Sequence, residues 1–153
     1  MKKQQIRKSG VRALNEELQN LYGFSFDKKA TLEEGFDTYR IVMKEGTPVF
    51  FYIDDIPIPT LKKCIEECLL KKVVVDMGAV KFVTSGADIM RPGIVDVDEE
   101  IQERDIVAVV DQNNEKPLAI ARAIFSGKEI KEMEKGKVLE NIHYVGDKIW
   151  NLG

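Results

Sequence analysis

The chain has 153 residues, of which 44% are hydrophobic and 32% charged, enough for one large or two small domains with a buried core. Its net charge of −3 argues against a protein that coats nucleic acid by bulk electrostatics. No apolar segment follows the basic first eight residues, and no apolar run approaches the roughly 18 residues that cross a bilayer, so we expect a soluble, cytoplasmic protein without a membrane partner.

The N-terminal half begins with an amphipathic helix. Ser9 is the candidate N-cap and Gly23 the candidate C-terminal stop. Aromatic strands over 39–43 and 49–53 then flank a turn over 44–48, which predicts a β-hairpin. Apolar residues at helical spacing predict the buried face of the helix: Val11, Leu14, Leu18 and Leu21.

A second helix is predicted after the hairpin. Pro57 and Pro59 are expected to break the strand, and Thr60 is a candidate cap. The apolar face of this helix comprises Leu61, Cys64, Ile65, Cys68 and Leu69. Its polar face comprises Lys62, Lys63, Glu66 and Glu67.

Cys64 and Cys68, the two cysteines of the chain, are four residues apart on that apolar face. We interpret them as reduced core thiols rather than as a disulfide or metal ligands. A metal site would need two more ligands, and the single histidine, His143, is remote in sequence. Neither a metal nor a cofactor is expected.

A switch to the β-branched run at 73–75 predicts a domain boundary near residue 71, without a flexible linker, so the two domains should pack closely. Strands are predicted over 106–110 and 118–125, with a turn between them at 113–116. A short helix is predicted over 126–133, ended by Gly136. The last predicted element is a closing hairpin of strands 142–145 and 148–152 around Gly146 and Asp147. Short strands at this spacing favour a small barrel.

The glycine-rich segment 76–94 carries the functional argument. Three glycines punctuate a strand, a helix of about two turns and a return strand. The helix start at Gly78 and Ala79 is expected to offer unpaired backbone N–H groups to an anion, and Lys81 and Arg91 to form a cationic pair beside it. The alternative is that Gly86 and Gly93 only permit tight turns and that both cations are solvated.

Three stretches resemble one known family. The string GAVKFVTSGADIMRPG, residues 78–93, resembles the signature of the PUA domain, a β pseudo-barrel. Together with ENIHYVGDKIW and EGTPVFFYIDDIPIPTLK, it is similar to the malignant-T-cell-amplified-sequence family, the partners of density-regulated protein, and ligatin. The resemblance spans most of residues 40–150 and implies an α+β chain with an N-terminal α/β domain at 1–71 and a PUA domain at 72–153.

The resemblance also implies a site. It implies that the protein binds RNA through the glycine-rich helix and loop and the adjoining last strand, and that it acts on the small ribosomal subunit with tRNA during initiation or recycling. Arg91 is carried over by location alone, because it lies between motif positions. The implied RNA-contacting residues are Gly78, Ala79, Lys81, Phe82, Ser85, Gly86, Ala87, Arg91, Pro92 and Gly93.

Residues outside this segment leave alternatives open. His143 either contacts RNA near the groove or serves as a structural imidazole. We expect Trp150 to lie in the core or over the end of the barrel rather than to stack on a base. Asp54 and Asp55 are expected in a solvated turn rather than at a metal.

The sequence shows no P-loop, dinucleotide fingerprint or nucleophile elbow, so we expect a non-enzymatic protein. The leading hypothesis is an adaptor that binds structured RNA, either tRNA or small-subunit rRNA, and has a possible ribosomal or translation-factor protein partner. One alternative is a protein-interaction module that docks its partner through the hairpin at 49–53 and the helix at 60–70. Another is the RNA-binding accessory subunit of an RNA-modification enzyme.

Overall fold

The structure, a computed structural model, describes residues 1–152 and contains four helices in that range. The helices are α1 (Lys8–Tyr22), α2 (Leu61–Glu66), α3 (Val80–Val83) and α4 (Gly127–Glu132). None of the four is long and apolar enough to span a bilayer.

Two sheets organise the chain. The first is antiparallel in the order β1-β2-β3-β4-β5 and comprises β1 (Lys3–Gln5), β2 (Leu32–Phe36), β3 (Arg40–Lys44), β4 (Thr47–Ile53) and β5 (Ile56–Pro59). The second has the order β7-β11-β10-β9-β6-β8, with β6 and β9 parallel. It comprises β6 (Lys72–Val75), β7 (Ile89–Met90), β8 (Ile94–Val97), β9 (Ile106–Asp111), β10 (Pro117–Ala123) and β11 (Lys137–Tyr144).

Helix α1 packs on the first sheet through one buried face, formed by Val11, Leu14 and Leu18. The N-cap is Arg7 rather than Ser9, and its side chain makes no capping hydrogen bond. Gly23 ends the helix with a left-handed φ of 66°, as predicted. Leu21, predicted for the apolar face, is 47% exposed.

The β3–β4 hairpin is confirmed, with a two-residue turn at Glu45 and Gly46. The predicted break at Pro57 and Pro59 is wrong. After a left-handed turn at Asp54 and Asp55, the chain returns as β5 and pairs with β4. Proline is tolerated there because β5 is an edge strand, where a missing N–H does not interrupt the ladder.

Helix α2 begins as predicted, since the Thr60 hydroxyl oxygen accepts the Lys63 N–H at 3.2 Å. It ends at Glu66, earlier than its apolar pattern suggested. The expected faces are also partly wrong, because Ile65 is exposed and Lys63 is buried. The Lys63 ammonium lies 4.0 Å from the centre of the Phe24 ring.

A shared apolar core joins the sheets. Phe51, Ile58 and Leu61 from the N-terminal side meet Ala108 and Ile120 of the second sheet in one cluster of buried residues. The side chains between the sheets are therefore buried and interlocked, which favours a fixed relation between the sheets.

The second sheet forms the predicted pseudo-barrel, with strands β9 and β10 close to their expected bounds. Helix α3 is one turn rather than two. The closing hairpin is wrong, because residues 148–151 form turns and Leu152 is irregular. The Asp147 carboxylate causes this by accepting the backbone N–H groups of Tyr144 and Trp150, each at 2.9 Å, so the chain coils at this point.

Candidate nucleic-acid interface

The glycine-rich segment encloses an open groove of about 470 Å³. One wall is α3, and the other is β7 with the 3-10 turn Arg91–Gly93 that follows it. Six residues predicted from the sequence line the groove: Gly78, Ala79, Phe82, Ala87, Pro92 and Gly93. Five others were not predicted: Asp76, Val83, Asp88, Ile89 and Met90.

Gly93 allows the two walls to approach each other. The backbone N–H of Asp76 donates to the Gly93 carbonyl at 2.9 Å, and a Cβ on Gly93 would lie 3.2 Å from the Ala79 Cβ. A larger residue at this position would push the 3-10 turn away from α3. The width of the groove therefore depends on this missing side chain.

Gly86 has a different role beside the groove. Its φ of +93° belongs to the left-handed region, and a Cβ there would lie 2.9 Å from Cε1 of Tyr144. Glycine at position 86 therefore permits both the turn after α3 and the close contact with the Tyr144 ring of β11. It positions the groove but does not line it.

The start of α3 is not a free anion site. The Asp76 carboxylate oxygen accepts the Ala79 N–H at 2.9 Å and places a negative charge where a phosphate was expected. The prediction of unpaired N–H groups for an anion at Ala79 is therefore wrong. The carboxylate stabilises α3 and disfavours phosphate at this end of the groove.

Two residues of β11 support the groove from outside the motif. The Asn141 side-chain amide donates to the carbonyls of Val83 and Ala87, both at 3.0 Å. The Lys137 ammonium lies 3.5 Å from the Asp88 carboxylate, and Lys137 pairs with Met90 across the β7–β11 ladder. Sequence reasoning missed both, because only strand pairing brings residues about 50 positions apart to one rim.

The predicted cationic pair is not formed as expected. Lys81 is exposed and makes no ion pair within residues 1–152, and its ammonium lies 5.1 Å from the Phe82 ring centre. Arg91 instead donates from Nε to the Ile130 carbonyl at 2.7 Å and from Nη1 to the Ile94 carbonyl at 3.1 Å. It braces the 3-10 turn against α4 and is not available to a ligand, whereas Lys81 is unpaired within residues 1–152 and Lys137 is already paired with Asp88.

Ser85 lies in the turn that follows α3 and is exposed. Its hydroxyl donates to the carbonyl of Lys81 at 2.7 Å, so the donor is already used within the helix. The oxygen can still accept a hydrogen bond. Ser85 does not line the groove itself.

The surface of the groove is mostly apolar. Phe82 and Met90 are 58% and 50% exposed, although both are large hydrophobic side chains. An exposed aromatic ring with a cation beside it can stack on an unpaired nucleobase and contact the adjacent phosphate. The chemistry of the groove therefore suits a base better than a phosphate.

Comparison with known proteins decides the family. A PUA-domain family model matches residues 71–145. An uncharacterised protein of Methanocaldococcus jannaschii is 50% identical, over 82% of this chain and 78% of that protein. Translation machinery-associated protein 20 of Saccharomyces cerevisiae is 35% identical, over 76% of this chain and 68% of that protein. The chain belongs to this PUA-domain family, which also includes malignant T-cell-amplified sequence 1.

Solved structures agree with the fold. A hypothetical protein from Pyrococcus horikoshii superposes with a TM-score of 0.83 at 36% identity, over 97% of this chain and 98% of that chain. A chain of an H/ACA ribonucleoprotein bound to a substrate RNA superposes with a TM-score of 0.51 at 27% identity, over 63% of this chain and 29% of that chain. The PUA fold predicted from the sequence is confirmed.

His143 lies on the other face of β11 from the groove. The imidazole is 1% exposed and packs edge-on against Phe51 of the N-terminal sheet, with ring centres 5.5 Å apart. Tyr144, the next residue, points towards the PUA core and Gly86, because side chains alternate along a strand. The assignment of His143 to the RNA contact is therefore corrected to a structural role.

Asp147 holds this imidazole in place at 2.8 Å from Nδ1. Burial opposes ionisation of the Asp147 carboxyl, but hydrogen bonds from His143 and from the N–H groups of Trp150 and Tyr144 outweigh it and hold the pKa below its usual value. The carboxylate thus connects the end of β11 with the turn that follows.

The docking face suggested for a protein partner is largely internal. Val49, Phe50 and Phe51 of the hairpin are each at most 4% exposed, and Leu61 of α2 is fully buried. These side chains form the cores described above and are not available to another chain. Asp54 and Asp55 lie in an exposed turn, as predicted, and no group of three or more potential metal ligands occurs within residues 1–152.

Proposed function

We propose that this protein is a non-enzymatic RNA-binding adaptor that acts in the cytoplasm during translation initiation or ribosome recycling. Its PUA groove receives an unpaired end or loop of a structured RNA, either tRNA or small-subunit rRNA. The observation that carries the proposal is the exposed Phe82 ring at the mouth of the groove, beside the Lys81 ammonium.

The relatives support the translation part of the proposal, since one is named for association with the translation machinery. The similar chain belongs to an H/ACA ribonucleoprotein that is bound to a substrate RNA, which supports RNA as the ligand. PUA membership alone does not choose the RNA. The choice of an unpaired segment rests on the chemistry of the groove.

The lining of the groove favours a nucleobase over a phosphate. Asp76 and Asp88 place two carboxylates in the lining, which repels phosphate from the groove itself. The exposed side chains of Phe82, Met90 and Pro92 offer apolar surface to the face of a base. Lys81 and Lys137 stand at the rim, where the sugar-phosphate chain would pass. Stacking tolerates any base, so we expect little sequence preference.

Titration of fluorescent tRNA against the Phe82→Ala variant tests the proposal. Loss of one stacking partner weakens binding by about 1–3 kcal/mol, or roughly 5- to 150-fold in Kd. Phe36→Ala is the matched control, because Phe36 is a 71% exposed phenylalanine on the N-terminal sheet. Both variants remove an exposed ring and should leave the melting temperature nearly unchanged.

The RNA can be varied as well as the protein. A tRNA trimmed of its single-stranded 3′ end should bind wild-type protein more weakly than intact tRNA if that end enters the groove. Lys81→Gln should lower the log-log salt slope by about 0.7, the loss of one single-strand phosphate contact. Equal Kd values for Phe82→Ala and Phe36→Ala, with all of these RNAs, would contradict the groove as the binding site.

A further inference from the structure

We infer a second RNA contact, a basic cleft on the N-terminal domain that binds the sugar-phosphate backbone. It lies between α1 and the segment 25–31, and five exposed cations surround it. These are Arg7, Lys8, Arg12, Lys28 and Lys29. The inference rests on the proposed function and gives the protein a second RNA-binding surface, outside the PUA groove.

The shape is that of two adjoining clefts rather than a flat patch. Their volumes are about 880 Å³ and 320 Å³, and they share Lys8, Val11 and Lys28. The Asn15 side chain fixes the outer wall by accepting the Phe26 N–H at 2.8 Å and donating to the Phe26 carbonyl at 3.1 Å. The cations are therefore held around a preformed concave surface.

The five cations lack internal partners. Within residues 1–152 none of them makes an ion pair or a side-chain hydrogen bond, although other exposed lysines, such as Lys131 and Lys148, do. Glu16 is the one acidic residue in the lining. Asp27 lies nearby, and its carboxylate accepts the Lys29 backbone N–H at 2.8 Å.

The local arrangement also works against the stability of α1. Lys8 and Arg12 are four residues apart and repel each other on one helix face. Lys8 is the first residue of the helix and lies at its positively polarised end, where the first turn has no acidic residue. An anionic ligand would offset both unfavourable terms, because it would attract the two cations and the helix N-terminus, which is a physical reason for this composition.

Charge is segregated in the same way along the sequence. Residues 1–31 contain seven Lys and Arg against three Asp and Glu, a balance of +4. Residues 32–153 contain 16 against 23, a balance of −7, and the two add to the net −3. The basic part of the protein is thus separate from the acidic, apolar groove, which assigns phosphate binding mainly to the N-terminal domain.

The other lining groups favour nucleic acid over a membrane. Asn15, Gln19, Asn20 and Ser25 present amides and a hydroxyl, which hydrogen-bond to phosphate and ribose oxygens. Val11 and Phe26, the two apolar residues of the larger cleft, are each 6% exposed, so neither is available to insert into a bilayer.

Salt-dependent titration of tRNA with the triple variant Lys8→Gln, Arg12→Gln and Lys28→Gln tests the inference. The log-log slope should fall by roughly 2–3, since each lost phosphate contact contributes about 0.7–0.9. The control is Lys71→Gln, Lys116→Gln and Lys128→Gln, which removes three exposed cations that also make no ion pair within residues 1–152. The melting temperature of the cleft variant should be equal to or above that of wild type, because repulsion is relieved.

The outcomes separate this inference from the proposed function. Equal slopes for the two triple variants would overturn the cleft, even if Phe82→Ala still weakens binding. A reduced slope in the cleft variant alone supports the cleft, whether or not the groove is used. Absence of tRNA binding by wild-type protein at every salt concentration would overturn both. Binding to phosphatidylglycerol vesicles that is lost in the cleft variant, with tRNA binding unchanged, would instead identify a membrane partner and overturn the RNA contact.

Discussion

The ring Nε2 of His143 accepts the backbone N–H of Leu61 at 3.1 Å and so ties the last strand of the PUA domain to the first residue of α2. A backbone N–H can only donate, so Nε2 is the unprotonated nitrogen and Nδ1 donates to Asp147. The first N–H groups of a helix have no acceptor within the helix. The neutral imidazole therefore satisfies Leu61 inside the shared core.

Replacing His143 should destabilise the protein without abolishing RNA binding. His143→Phe keeps a ring but leaves the Leu61 N–H without its acceptor, so we expect a loss of about 1–3 kcal/mol in the free energy of unfolding. Urea denaturation measures this loss, and tRNA titration measures binding. An unchanged unfolding free energy combined with lost tRNA binding would contradict the structural role and show that the imidazole contacts RNA.

The Asp147 carboxylate should stabilise the protein in a pH-dependent way. Its lowered pKa means that its stabilisation is fully present above the ordinary aspartate pKa of about 4 and is lost as the pH falls through the lower folded-state pKa. Asp147→Asn should therefore be less stable than wild type at neutral pH, by about 1–3 kcal/mol, and the difference should shrink in acid.

Urea denaturation at neutral pH and at roughly pH 3 measures the difference in unfolding free energy between Asp147→Asn and wild type, and shows whether that difference shrinks in acid. Asp54→Asn is the control, because Asp54 lies exposed in a turn with φ of 50°, a conformation that asparagine tolerates. It should stay within about 0.5 kcal/mol of wild type at both pH values. A constant Asp147→Asn difference across this range would show that the stabilisation does not depend on the charge.

Gly86 and Gly146 form a matched pair that separates backbone strain from steric contact. Both have a φ of +93°, but a Cβ on Gly86 would meet the Tyr144 ring, whereas a Cβ on Gly146 would have no heavy atom within 4 Å. Gly146→Ala should reveal only the cost of the left-handed conformation, about 1 kcal/mol. Gly86→Ala should cost more and should also weaken tRNA binding, because α3 must shift.

Thermal unfolding of the two glycine variants measures the difference. Tyr144→Ala combined with Gly86→Ala should recover the steric part of that difference, since the ring is then gone. Equal destabilisation by Gly86→Ala and Gly146→Ala would mean that the segment moves freely and that the Tyr144 contact does not position α3.

Cys68 should be the reactive thiol of the chain. The Cys64 and Cys68 sulfur atoms lie 3.1 Å apart, and the hydrogen bond from Cys64, aided by the Leu70 backbone and by Lys72, lowers the pKa of Cys68. The same hydrogen bond, together with burial, raises the pKa of Cys64. Cys68, which is also the less buried of the two, should therefore ionise first and should be alkylated by iodoacetamide, with release of iodide, before Cys64.

Mass spectrometry of the alkylated peptide identifies the site, and the rate should rise at a lower pH than that of an ordinary cysteine. Cys64→Ser removes the donating thiol and should move this rise towards the ordinary cysteine pKa, about 8.5. First modification at Cys64, or a rise near pH 8.5 in the wild-type protein, would contradict the assignment.

Local patterns in the sequence determined most of the element types and the family. Gly23 ends α1 because only glycine enters the left-handed region without strain, and Thr60 begins α2 through its own hydroxyl. These effects act within a few residues. The glycine string at 78–93 also identified the PUA domain and six residues of its groove.

The tertiary structure alone decided how the side chains are used. Arg91 is engaged by the carbonyl of Ile130, 39 positions away, and Lys137 reaches the groove through β7–β11 pairing. The strand alternation that turns Tyr144 towards Gly86 turns His143 into the shared core. The neighbours of a side chain depend on strand register and on contacts distant in sequence. Periodicity therefore predicts which residues form a helix or strand, but it does not predict the hydrogen-bond and ion-pair partners of the charged side chains.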